Sequence, residues 1–142
     1  MAKILVSACL LGCECRYDGK SCKNDAVLAL KAEHTLFPVC PEQLGGLPTP
    51  RQPSERQGDK VVMKTGVDVT NEYMKGANEA LRIAKTLNIK KAVLKANSPS
   101  CGKGVIYDGS FTGRKCPGNG VTAQLLSENG IEVFTESETE LI

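Results

Sequence analysis

Three short apolar runs in this chain each lead into a cysteine where a Pro- or Gly-rich turn begins, and no other feature limits the fold as much. Ile4-Leu5-Val6-Ser7-Ala8 runs into Cys9, and Thr35-Leu36-Phe37-Pro38-Val39 into Cys40-Pro41-Glu42. Lys91-Ala92-Val93-Leu94-Lys95-Ala96 precedes Ser98-Pro99-Ser100-Cys101-Gly102. Near-continuous apolar runs of this length are typical of strands buried on both faces in a parallel sheet. In an open α/β sheet, ligands bind beyond the carboxyl ends of the strands. Three cysteines brought there by three strands are placed to meet around one object.

The rest of the chain supplies the helices that such a sheet needs. Residues 3–8 read as the first strand and 9–23 as a loop. A short helix over 25–33 can be capped by Asn24 or Asp25, and a strand follows over 35–39. From Cys40 to Gly58 there is no periodic apolar pattern, but there are four prolines and three glycines. A loop of that length inside a compact domain is usually functional. Residues 60–63 read as a short extra strand. Tyr73, Ala77, Ala80, Leu81, Ala84 and Leu87 keep helical spacing, giving a helix over 72–87 with Thr70 as its cap. A strand over 91–96 leads to a second Gly-rich loop, 97–119, with a hairpin turning at Asp108-Gly109. A helix over 121–128 closes at Asn129-Gly130, and 131–134 is a final strand. Alternating strands and helices predict one α/β domain, 1–142, with three αβα layers, a mainly parallel sheet and two long functional loops.

Compartment decides how the cysteines are read. No apolar run approaches the ~18 residues of a membrane helix, and the N-terminus lacks the pattern of a signal peptide, so the expectation is a cytoplasmic protein without membrane partners. There, the seven cysteines (9, 13, 15, 22, 40, 101 and 116) point to metal or redox chemistry more than to disulfides. No CxxC pair is present, and the single histidine, His34, leaves no His-rich metal site. A formal net charge of +2 gives no ground for nucleic-acid binding.

Cys9, Cys40 and Cys101 are the first candidate ligands. Thiolates select zinc, copper(I) or iron–sulfur clusters. Iron–sulfur clusters are normally held by four cysteines, so three would leave one metal position open, as a catalytic site requires. Cys13 or Cys15 could supply a fourth ligand or form a redox pair; Cys22 and Cys116 read as spectators. Glu42, beside Cys40 in a proline-fixed turn, is placed for general acid–base work. Ser98 and Ser100 either hydrogen-bond the turn backbone or aim a hydroxyl at a substrate. Arg16 and Arg51 sit in the loops that overhang the strand ends and could meet an anionic or polar ligand. Gly118-Asn119-Gly120 before the last helix could form a small anion cradle, but the dinucleotide fingerprint is absent.

Four motifs in order make the chain recognisable. They are Val6-Ser7-Ala8-Cys9-Leu10-Leu11-Gly12 with Arg16-Tyr17-Asp18-Gly19; Pro38-Val39-Cys40-Pro41-Glu42 with Gly45-Gly46-Leu47 and Pro50-Arg51; Leu94-Lys95 with Ser98 to Gly102; and Gly118-Asn119-Gly120-Val121-Thr122-Ala123. Together they resemble the TudS-like thiouracil desulfidases, a small bacterial family long labelled a domain of unknown function. The resemblance implies a [4Fe-4S] cluster held by Cys9, Cys40 and Cys101. It also implies an iron open to the sulfur of a thiolated nucleobase, Glu42 as the carboxylate that activates water, and Ser98 near the substrate. Hydrolysis would release sulfide without net redox chemistry. The implied partners are a thiolated nucleobase or nucleoside, with thiolated tRNA a further option. Cys13 and Cys15 depart from what the resemblance leads one to expect. A fourth ligand from either would close the site, leaving the alternative of a non-catalytic metal-binding or redox-sensing module with zinc or a closed four-cysteine cluster.

Overall fold

The computed structural model describes residues 1–142. Four strands, β1 (Lys3–Ser7), β2 (Thr35–Val39), β5 (Lys91–Leu94) and β8 (Glu132–Thr135), form one sheet in the order β2-β1-β5-β8. All pairings within it are parallel. The chain leaves β1 for β2 on one side and returns to β5 on the other. The switch point of the sheet therefore lies between β1 and β5, beyond Ser7 and Leu94. Pro38 is tolerated because β2 is an edge strand, with a partner on one side only.

Side chains alternate between two apolar layers, as the two-residue period of a strand dictates. Leu5, Ala92, Leu94 and Val133 pack on Ala80, Leu81 and Ala84 of α3 (Thr70–Thr86) and on Ala123 and Leu126 of α4 (Val121–Glu128). Ile4, Val6, Val93 and Phe134 pack on Val27 of α1 (Asp25–Ala29) and on the 3-10 turn Ala8–Leu11. The expected α/β architecture with a parallel sheet is thus observed.

Several boundaries differ from those read in the sequence. α1 ends at Ala29 and continues as a 3-10 turn, Leu30–Ala32; its cap is Asn24, whose side chain accepts the Val27 N–H at 3.0 Å. Thr70 is the first residue of α3 rather than its cap. Its hydroxyl accepts the Val61 N–H at 2.9 Å, while Asp68 accepts its own N–H at 2.8 Å. The loop over 40–58 contains a one-turn helix, α2 (Pro41–Leu44), and a strand, β3 (Ser54–Gln57), paired antiparallel with β4 (Lys60–Met63). Residues 97–119 hold a second hairpin, β6 (Val105–Tyr107) with β7 (Lys115–Pro117). Its connection spans 108–114, longer than a turn at Asp108-Gly109.

One backbone contact fixes how α2 presents the residues that follow β2. A Cβ built on Gly76 of α3 would lie 1.8 Å from the Pro41 carbonyl oxygen, and one on Gly45 would lie 1.9 Å from the Glu72 carbonyl oxygen. Alanine favours a helix over glycine by about 1 kcal/mol. Here that gain is outweighed, because α2 and α3 would have to part. Gly76→Ala is therefore expected to destabilise the protein by roughly 1–3 kcal/mol, read as a lower denaturant midpoint. An unchanged midpoint would show that the two helices separate at no cost.

Candidate metal centre

Beyond the carboxyl ends of β1, β2 and β5 lies a cavity of ≈ 430 Å³ bordered by Cys9, Cys15, Cys40 and Cys101. Cys9 belongs to the 3-10 turn that directly follows β1, and Cys40 is the first residue after β2. Cys101 closes a turn in which Ser98 Oγ accepts the N–H groups of Ser100 and Cys101, both at 3.1 Å. The start of α4 clamps that turn: Val121 N–H donates to Pro99 O and Thr122 N–H to Ser100 O, each at 2.8 Å. Gly120 belongs to this clamp, since a Cβ there would stand 2.4 Å from the Ser100 carbonyl. Gly118-Asn119-Gly120 is accordingly a packing device and not the anion cradle that its spacing allowed.

Cys15 joins the three expected cysteines. It is buried and lines the cavity, with the Cys40 and Cys9 thiols near enough to shift its ionisation; the Cys40 thiol points at Cys15 O, 3.7 Å away. Cys13, two residues earlier, is exposed, and Cys22 and Cys116 lie outside the cavity. All seven thiols are free. Burial pushes the Cys101 thiol up to about 12. At Cys15 the bond from Cys40 favours the thiolate, but the bond to Cys9 and burial prevail, and the thiol is pushed up to about 11. Donating to Cys15 and burial push Cys40 up as well.

This donor set suits a soft metal. No three His, Cys, Asp or Glu side chains surround a common point where one ion would be held. The thiols instead border a space large enough for a small polynuclear group. In that respect the residues present fit an iron–sulfur cluster.

Glu42, the second residue of α2, lines the same cavity. Arg51 Nε donates to its Oε1 at 2.9 Å. The rest of the guanidinium donates to Pro48 O at 3.1 Å, Thr49 Oγ1 at 3.0 Å and Cys15 O at 2.9 Å. The Arg51 side chain is only 3% exposed. Burial works against its charge, but the Glu42 carboxylate outweighs this and its pKa is raised. Arg51, expected to meet a ligand, thus directs its donors into the protein and orients Glu42. The Tyr73 hydroxyl faces Glu42 and Ser54, and burial followed by the Glu42 charge drives its pKa up.

Ser98 and Arg16 line the cavity; the Arg16 guanidinium lies over the Tyr17 ring at 5.6 Å. Ser100 does not line it. Its hydroxyl is buried and bonded to Thr122 Oγ1 at 2.8 Å, so the expectation that it binds substrate is not met by its position. Ser7, Tyr73, Glu55 and Phe111 also border the cavity, although no motif in the sequence marks them as site residues. Ser7 and Tyr73 sit in apolar strand and helix patterns that hide a polar role. His34 is structural, its Nδ1 accepting the Ala2 N–H at 3.0 Å.

Residues 4–138 match the family model described as 2-thiouracil desulfurase, so this chain belongs to the 2-thiouracil desulfurase family. An uncharacterised protein, YbbK of Bacillus subtilis (strain 168), is 46% identical over 145 residues, covering 95% of this chain and 96% of that protein. A solved structure described as the [4Fe-4S]-dependent thiouracil desulfidase TudS is 49% identical, covers 97% of this chain and 93% of its own, and superposes with a TM-score of 0.90. The resemblance drawn from the four motifs is borne out, and so is the fold.

Two expectations follow from the geometry. Arg51→Met leaves the Glu42 carboxylate without its partner and Cys15 O without a donor. It is expected to cost roughly 3–5 kcal/mol in denaturant unfolding; a cost below about 1 kcal/mol, the range of exposed pairs, would show that the pair is solvated. The thiols give a pH dependence. Unfolded thiols ionise near 9.0, while Cys15 and Cys101 keep their protons up to about 11 and about 12. In that window the folded, metal-free protein binds more protons than the unfolded chain, so its stability falls as pH rises through it. Denaturant midpoints at about pH 8 and about pH 11 should show the fall, and a Cys15→Ser/Cys101→Ser variant should show a shallower one.

Proposed function

We propose that this protein is a desulfidase that hydrolyses the carbon–sulfur bond of a thiolated pyrimidine, thiouracil or thiouridine, with a [4Fe-4S] cluster held by Cys9, Cys40 and Cys101. The observation that carries the reading is the single cavity at the sheet's switch point where these thiols, Glu42 and Ser98 meet. When bound, the cluster supplies a Lewis-acidic iron for the thiocarbonyl sulfur, since three protein ligands leave one iron open. The remaining work falls to the chain. Glu42, its Oε1 held by Arg51, takes a proton from the attacking water and returns it to the leaving sulfur. Ser98 Oγ accepts two backbone N–H groups, which leaves its own proton to be donated to a substrate atom. Arg16 at the cavity wall meets polar atoms of the substrate. Water replaces sulfur, C=S becomes C=O, and hydrogen sulfide leaves; no electrons change hands.

The first test is the iron and acid-labile sulfide content of protein purified without oxygen, with zinc measured alongside. About four iron and four sulfide per chain are expected, together with sulfide release from thiouracil. Cys101→Ala should lose cluster and activity together, whereas Glu42→Gln should keep the cluster and lose turnover by a factor of about 10²–10⁴. Stoichiometric zinc without sulfide, persisting after cluster reconstitution, would favour a binding module instead. Full activity in Cys101→Ala would sink the assignment.

A further inference from the structure

We propose that Phe111 is the aromatic wall against which the substrate ring stacks, and that Glu55 is the residue that positions it. The identity of the ring rests on the desulfidase reading above; the placement of Phe111 does not.

Phe111 has φ +58°, the left-handed region that bulky side chains almost never adopt. Such a conformation persists only where the surroundings over-determine it, and it concentrates at functional sites. Here the determinants are visible. Glu55 Oε1, on β3, accepts the Gly109 N–H at 2.9 Å and the Phe111 N–H at 3.1 Å. Gln57 Nε2, two residues along the same strand, donates to Gly109 O at 2.8 Å. Gly109 itself sits so close to β3 that a Cβ would stand 2.7 Å from Gln57 Cγ. From within the loop, Asp108 Oδ1 accepts the Ser110 N–H at 2.9 Å. The tip between β6 and β7 is thereby docked onto β3 at the one point that sets the Phe111 backbone.

The phenyl group does not serve the core. Phe111 is half-buried and belongs to none of the three apolar clusters; it lines the cavity that holds the thiols and Glu42. The other aromatic rings there have other partners. Tyr73 is buried with its hydroxyl toward Glu42, the Arg16 guanidinium covers Tyr17, and the Lys115 ammonium lies over Tyr107 at 5.7 Å. Phe111 is the one of these rings that is neither buried nor covered by a cation. A planar nucleobase stacks on such a ring through its π-face, an interaction that changes affinity by roughly five- to hundred-fold. An acyclic thioamide offers only the small π-face of its N–C=S group, so Phe111 favours ring substrates.

The test is uracil binding, measured by calorimetry on the wild-type holoprotein and its variants, with thermal denaturation alongside. Phe111→Ala and Phe111→Gly are expected to weaken uracil binding by about ten-fold or more, and Phe111→Tyr to restore it. Glycine adopts a positive φ at no steric cost, so Phe111→Gly should melt no lower than the wild type while binding less, a combination that a merely structural residue would not give. Glu55→Ala should speed hydrogen exchange at the Gly109 and Phe111 amides and weaken uracil binding; Glu55→Gln, which keeps an acceptor oxygen, should reverse both. Wild-type affinity in Phe111→Ala and Phe111→Gly would overturn the role of Phe111. Unchanged amide exchange in Glu55→Ala would overturn that of Glu55. A wild-type holoprotein that binds neither uracil nor thiouracil would overturn the desulfidase reading and this inference with it, an outcome distinct from the loss of Phe111 dependence alone.

Discussion

The buried guanidinium of Arg51 is the interaction on which the site depends. Its planar fork sends donors in fixed directions to Glu42, Pro48, Thr49 and Cys15. It ties the loop after β1, 36 residues away, to the one-turn helix after β2 and the loop that follows that helix. A charge 3% exposed is tolerable only beside an opposite one. Glu42 therefore stabilises the arginine as much as the arginine orients Glu42. The carboxylate that faces the cavity and the backbone that presents Cys15 are held by the same group, so neither can shift alone.

Around this centre the fold uses close backbone approach where side chains would have left play. Gly76 lets α3 touch the Pro41 carbonyl, and Gly120 lets α4 touch the Ser100 carbonyl. Both contacts fall on the residue next to a cavity-lining cysteine. Placement of Cys40 and Cys101 is thus set by helices packed on one face of the sheet, while Cys9 is set by β1 itself. The site inherits its rigidity from the layer beneath it.

What was legible in the sequence was what local pattern encodes. The runs before Cys9, Cys40 and Cys101 mark buried strands, and strand ends mark the crevice, so those three positions could be placed without a structure. β3 could not, because Ser54-Glu55-Arg56-Gln57 has no apolar face and forms a strand only through its pairing with β4. Direction was equally hidden. Ser98 and Ser100 are two residues apart, yet one borders the cavity and the other is turned to Thr122. Cys13 and Cys15 divide in the same way, one exposed and one buried among thiols. Arg51 was visible as a donor in an overhanging loop, but that its donors turn inward depends on Glu42 and Cys15, which only tertiary structure brings beside it. Phe111 escaped notice because nothing in Ser110-Phe111-Thr112 announces a left-handed backbone.

The raised thiols also say how such a site must be filled. In the metal-free chain, burial, joined at Cys15 and Cys40 by neighbouring thiols, makes Cys15, Cys40 and Cys101 harder to ionise than an ordinary thiol. Metal ligation requires thiolates, and the positive charge of bound metal inverts the local preference that burial creates. Loading a cluster of the proposed kind and deprotonating its ligands are therefore one event. The protein without it is better off keeping its thiols neutral than holding an empty nest of negative charge. Cys15 then has a distinct place: it is buried in the cavity wall, with the Cys40 thiol pointing at its carbonyl oxygen 3.7 Å away. A thiol in that position is suited to donate to a ligand sulfur, the kind of contact by which proteins tune such clusters. In the proposed site it would support the three ligands by such a contact instead of closing the open position.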